Sequence, residues 1–125
     1  MLGSTNIVAF VPIKDSEKSR AFYEGVLGLR FVKDDGFALV LEANGIMIRA
    51  ARVKDFTPAQ FTILGWQVPN IENIVRELVK KGVHFEIFGF FKQDDLGIWT
   101  APTGDKVAWF KDPDGNILSV SQHVS

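Results

Sequence analysis

The chain has 125 residues, 46% hydrophobic and 23% charged, with 14 Lys and Arg against 15 Asp and Glu and no cysteine. That length fits one ordinary domain, the near-neutral charge offers no basic field for nucleic acid, and the missing thiols exclude disulfides, thiolate metal sites and a cysteine nucleophile. Apolar runs are too short to span a membrane and Met1 to Asn6 carry no positive charge of a leader, so a cytoplasmic protein is expected.

Ile7 to Ile13 is an apolar, β-branched run that predicts a buried strand. A helix follows over Ser16 to Leu27, capped by Asp15 or Ser16, burying Ala21, Phe22, Val26 and Leu27 and ending at Gly28. Three strands are expected next, over Leu29–Lys33, Phe37–Glu42 and Ile46–Arg52, with tight turns at Asp35-Gly36 and Asn44-Gly45. Residues 53–60 break both periodicities and read as a linker. The pattern then restarts. Phe61–Val68 predicts a strand, and Asn70 caps a helix with apolar Ile71, Ile74, Val75, Leu78 and Val79 that ends at Gly82. His84–Phe88, Gly97–Thr100 and Lys106–Phe110 are strand candidates, and the turn Asp112-Pro-Asp-Gly-Asn116 leads into a last strand, Ile117–Gln122.

The order of elements is duplicated: Val8 to Ile63 and Asp15 to Asn70 are each separated by about 55 residues. The expected fold class is α+β, with two tandem βαβββ modules over 5–52 and 61–123 in a single domain of 1–125.

Three segments carry a resemblance to a known family: Asp15-Ser-Glu-Lys-Ser-Arg-Ala-Phe-Tyr-Glu-Gly-Val-Leu-Gly-Leu29, Gly65-Trp-Gln-Val-Pro-Asn-Ile71 and Phe110-Lys-Asp-Pro-Asp-Gly-Asn116. In this order they resemble the glyoxalase/bleomycin resistance/dioxygenase (vicinal oxygen chelate) superfamily. The resemblance implies strands curled into an incomplete β-barrel around a cavity, commonly completed in a homodimer. Many members hold a divalent metal on His and Glu from the first and last strands of the modules. The matching positions here are Val8, Ile63 and Ser119, with Arg49 near the remaining place. Val and Ile have no donor atom, and a guanidinium repels a cation. No metal or other cofactor is therefore expected.

Other chemistries lack their patterns. Ser4, Ser16, Ser19, Ser119, Ser121 and Ser125 include no Gly-x-Ser-x-Gly elbow, so a triad hydrolase is rejected at this level. The glycine-bearing turns lack a phosphate-loop lysine. His84 and His123 read as surface or strand-edge residues. The expected ligand site is a mostly apolar chamber with Arg49, Gln67, Phe91, Trp99, Trp109 and Ser119 as its polar and aromatic handles. Arg49 reads either as an anion anchor or as a salt bridge to Glu42 or Asp35. The segment Phe88-Gly-Phe-Phe91 with Lys92–Leu96 reads as a flap. The expected function is binding of a small organic molecule without metal, with no nucleic-acid or membrane partner. Two alternatives stay open: a metal-dependent lyase, isomerase or dioxygenase of the glyoxalase type, with ligands among Glu42, His84, Glu86 and His123, and a structural or regulatory dimer with a vestigial cavity.

Overall fold

The computed structural model describes residues 1–124, so Ser125 lies outside the described residues. The chain divides into two compact units, Met1–Pro58 and the remainder from Ala59, each with its own four-stranded sheet. Each unit is a βαβββ module. Among the described residues no helix is long and apolar enough to cross a membrane.

In the first module a 3-10 turn over Leu2–Ser4 precedes β1 (Val8–Ile13) and α1 (Ser16–Arg20). Asp15 caps α1 by accepting the Lys18 N–H at 3.1 Å. The helix then widens into a π-helical stretch over Ala21–Val26, with the Leu27 N–H donating to the Phe22 carbonyl five residues back. That widening changes the buried face. Regular α spacing predicts burial of Ala21, yet Ala21 is exposed and the fully buried side chains are Ser19 and Tyr23.

Strands β2 (Arg30–Asp34), β3 (Ala38–Ala43) and β4 (Ile46–Arg52) complete the sheet in the order β1-β4-β3-β2, with β1 and β4 parallel and the other pairs antiparallel. Alternation along the strands turns Val11, Leu39, Leu41, Ile48 and Ala50 to one face, all of them buried. The opposite face carries Val8, Phe10, Val40, Glu42, Met47 and Arg49. On it Val8, Phe10 and Met47 are exposed.

The second module contains β5 (Thr62–Gln67), α2 (Ile71–Lys80), β6 (Trp99–Thr100), β7 (Lys106–Lys111) and β8 (Ile117–Gln122), ordered β5-β8-β7-β6. Asn70 caps α2 by accepting from the Asn73 N–H. The helix packs on β7 and β8 and buries Ile71, Val75 and Leu78, while Val79 is left exposed. These side chains join Phe85, Phe110, Leu118 and Val120 in the module's core.

One predicted strand does not form. His84–Phe88 touches β7 through a single bridge, Phe85 to Phe110, and through the Glu86 N–H on the Trp109 carbonyl. Beyond that point a side chain substitutes for a strand partner. The Gln93 amide accepts from the Phe88 N–H at 2.7 Å and donates to the carbonyls of Glu86 and Gly97 at 2.9 and 2.8 Å. A carboxamide has the peptide group's own donors and acceptor, so Gln93 satisfies backbone groups that a ladder would otherwise pair. Gln93→Ala is expected to cost about 2 kcal/mol for the unpaired groups. Hydrogen exchange at the Phe88 amide should quicken sharply, while exchange in α2 changes only through the global term.

Candidate functional site

The site is built on one face of the second sheet. Ser119 lies opposite Gly65 on one side and Trp109 on the other. The next row holds Gln67, Ser121, Val107 and Trp99, and the row beyond Ser119 in the other direction holds Thr62, Ile117 and Lys111. A common face is thus occupied by four of the candidate residues, Gln67, Trp99, Trp109 and Ser119. The close row depends on a glycine: a Cβ on residue 65 would lie 2.6 Å from the Ser119 Oγ. Ile63, the second-half position expected on this face, sits instead where the pairing register of β5 shifts between Thr62 and Leu64.

Phe91 reaches the same face from the loop after α2. Its ring stacks on Trp109 with centroids 5.1 Å apart and planes 5° from parallel, and it lies 4.6 Å from Trp99. Phe88 meets Trp109 edge-on at 5.4 Å, and Phe90 lies 4.6 Å from Phe91. Sequence reading singled out this segment as a flap, but its rings are packed on the sheet through contacts of the kind that contribute about 0.5–1.5 kcal/mol each.

Phe88, Phe90, Phe91 and Trp109 wall a pocket of about 240 Å³ completed by Phe61, Ile117, Gln60 and Thr62. No lining residue is charged, and the side chains with polar groups among them are Gln60, Thr62 and, through its indole N–H, Trp109. Alternation along the last strand places Ile117 on the face of Ser119, whereas sequence reading missed Gln60, Phe61 and Thr62. Gln60 and Phe61 fall where the linker meets β5, so no alternation pattern assigned them a face.

Arg49 belongs to the first module. Its Nη2 lies 2.8 Å from the Asp35 Oδ2, so the salt-bridge alternative is the one the structure adopts. The Arg49 guanidinium, with the backbone N–H groups of Ala38 and Phe37, holds the Asp35 carboxyl down at about 2. A second pair, Arg52 with Asp34, lies beside it and lowers the Asp34 pKa. The first module has its own hollow, about 420 Å³, lined by Val8, Val32, Val40, Met47, Arg30 and Glu42 among others. Its charged end is already matched. The Glu42 carboxylate accepts from the Gly45 N–H and from the Arg30 Nε, which together lower its pKa.

The donor set does not fit a metal ion. Val8 and Ile63 offer no donor, and among the described residues no three His, Asp or Glu side chains gather as a ligand cluster. The substitute ligands are engaged or scattered: Glu42 on Arg30, Glu86 beside Lys111 at 3.7 Å, His123 on Ser121 and Asp105, and His84 exposed at the end of α2's loop.

The family model for the glyoxalase/bleomycin resistance protein/dioxygenase superfamily matches residues 5–120. The chain belongs to that superfamily. Solved structures agree on the fold. The bleomycin resistance determinant encoded on the transposon Tn5 is 20% identical, with 98% of this chain and 100% of that one covered at a TM-score of 0.76. A superfamily member from Sphaerobacter thermophilus is 20% identical over 96% and 98% of the two chains, at 0.74. Lactoylglutathione lyase from Agrobacterium tumefaciens is 16% identical over 95% and 93%, at 0.73. No curated protein matches the chain in sequence.

Proposed function

We propose that the chain binds a small, flat, uncharged organic molecule in the aromatic pocket of the second module, without a metal ion. The observation that carries this reading is the pocket's lining: stacked Phe91 and Trp109, flanking Phe88 and Phe90, and no charge. Its volume is below the roughly 300–1,000 Å³ of drug-sized pockets, which favours a molecule of one or two fused rings. Gln60 and Thr62 would supply orienting hydrogen bonds at one side, and Ser119, Gln67 and Trp99 shape the sheet face behind it. Metal-dependent glyoxalase or dioxygenase chemistry has no donor set to support it. The Tn5 bleomycin resistance determinant and the lyase share only the fold with this chain, so neither name transfers a ligand.

The reading includes a homodimer. Val8, Phe10 and Met47 expose 41%, 62% and 41% of their surface side by side on the first sheet, an apolar face that a second copy would cover.

Indole and quinoline, titrated while tryptophan fluorescence is followed, are expected to quench saturably and to raise the melting temperature, whereas 1-naphthoate does neither. Phe91→Ala should weaken binding by about tenfold through loss of the stacked wall. Lack of saturable quenching by the neutral rings, or binding indifferent to Phe91→Ala, overturns the pocket. Stoichiometric metal retained after desalting overturns the metal-free part, and a monomer at all concentrations in sedimentation equilibrium overturns the dimer.

A further inference from the structure

Toward the end of β8, one row beyond Ser119 and outside the lining of the aromatic pocket, three polar side chains meet in an order that sequence reading rejected. The Ser121 Oγ lies 2.9 Å from the His123 Nε2, and the His123 Nδ1 lies 3.4 Å from the Asp105 Oδ2. Serine, imidazole and carboxylate are thus aligned through opposite nitrogens of one ring, the arrangement in which a histidine can accept a serine proton while a carboxylate holds its other N–H. We propose that Ser121, His123 and Asp105 form a nucleophilic centre that takes the acyl group of an activated, aryl-type carboxylic ester.

The surroundings hold the three groups in place. The other Asp105 oxygen accepts from the Val124 N–H at 3.0 Å, and this bond is the largest cause of a carboxyl pKa held below its ordinary value. The Val124 side chain packs over Gly104, which has a φ of +93° and leaves no room for a Cβ without a shift in the valine. That packing clamps the chain end against the Asp105 turn. On β8 itself, the Ser121 carbonyl accepts from the Val68 N–H and the Gln122 Oε1 from the Ile71 N–H. An ionised Asp105 facing Nδ1 selects the tautomer with its proton there, so the Nε2 lone pair is free to accept from the Ser121 hydroxyl.

The step balances without a further reagent. The Ser121 Oγ attacks the ester carbonyl as its proton passes to the His123 Nε2. The carbon–oxygen bond to the aryloxide then breaks and the imidazolium returns the proton to the departing phenol. Water, giving a proton to the same ring, next attacks the acyl carbon, the bond to the Ser121 Oγ breaks, the ring returns that proton to Oγ, and the carboxylic acid leaves. Ser121 stands on a strand, where backbone N–H groups are committed to ladder pairing, rather than at a strand-to-helix elbow. Substrates with a good leaving group are the ones such a centre can turn over. His123 is 41% exposed, so an ester has open access to the ring.

The test is incubation of the full chain with p-nitrophenyl acetate, followed by nitrophenolate release and peptide mass mapping. The expected result is one acetyl group on Ser121, absent in Ser121→Ala and unaffected in a Ser16→Ala control. His123→Ala should slow acylation by about 100-fold, with partial rescue by added imidazole, which a structural role would not show. Asp105→Asn keeps an oxygen for the Val124 N–H but sets an amide N–H₂ against the ring, favouring the wrong tautomer. It should slow the reaction to a similar degree with an unchanged thermal midpoint. Acetylation confined to lysines, or Ser121 labelling as fast in His123→Ala as in the unmodified chain, overturns the proposal. The centre and the aromatic pocket use different residues, so either fails without the other.

Discussion

Phe110→Ala is expected to lower the unfolding free energy by about 4 kcal/mol, within the range for deleting a fully buried phenylalanine. Phe110 has no exposed surface, and its ring meets Phe85 edge-on at 5.4 Å. Its backbone bridges the same residue, and Leu118 of β8 lies opposite it. Truncation therefore removes both the transfer free energy of the ring and its contacts with Phe85 and Leu118, leaving a cavity in a close-packed layer. Phe110→Leu keeps part of the volume and should cost less than half as much. Urea unfolding with a constant m-value measures the difference, and a loss below about 1 kcal/mol for the alanine variant would mean that the layer collapses to fill the gap. The position also touches function through alternation. Trp109, the neighbouring residue, faces the opposite side of β7 and carries the stacked Phe91, so a core that loosens under β7 should also weaken ligand stabilisation.

How much of this was legible in the sequence depended on the distance over which each signal acts. The capped helices, the duplicated βαβββ order and the strands Val8–Ile13 and Ile117–Gln122 follow from local periodicity and were read with near-correct bounds. The alternation argument also placed Gln67, Ser119 and Trp109 on a common face. It failed where the backbone leaves regular spacing. The π-helical stretch brought Tyr23 rather than Ala21 to the core, and the register shift in β5 removed Ile63 from its expected row. His84–Phe88 has the composition of a strand, but its pairing is taken over by a glutamine several residues later, a substitution no window of propensity detects. Arg49 was legible as a pair of possibilities, and only the turn geometry at Asp35 decided between them. Asp105, 18 residues before His123, gave no sequence signal at all. Only the pairing of β7 with β8 and the return of the chain end bring them together.

The turn Asp112-Pro-Asp-Gly-Asn116 looked ordinary in sequence, and Asp112→Ala is expected to show otherwise, with a loss of about 3 kcal/mol. Asp112 and Asn116 are 5% and 1% exposed, which is rare for residues of these types in a surface turn. One Asp112 carboxylate oxygen accepts from the N–H groups of both Asp114 and Asn116 at 2.9 Å, and the other accepts from the Asn116 side-chain amide at 2.8 Å. Removing the carboxylate leaves two backbone donors and a buried carboxamide to find new partners, and hydrogen bonds to a charged group contribute more than neutral ones. Asp112→Asn should cost about half as much, since one oxygen remains for the backbone donors while its new N–H₂ opposes the Asn116 amide. Thermal unfolding of the two variants beside the unmodified chain reads this order directly, and equal losses would place the cost in the turn's shape rather than in its charge. Because β8 begins at Ile117, immediately after this network, the same carboxylate fixes the register that sets Ile117 at the pocket and Ser119 beside Trp109. The alanine variant should therefore bind neutral aromatic probes more weakly even at temperatures where it remains folded.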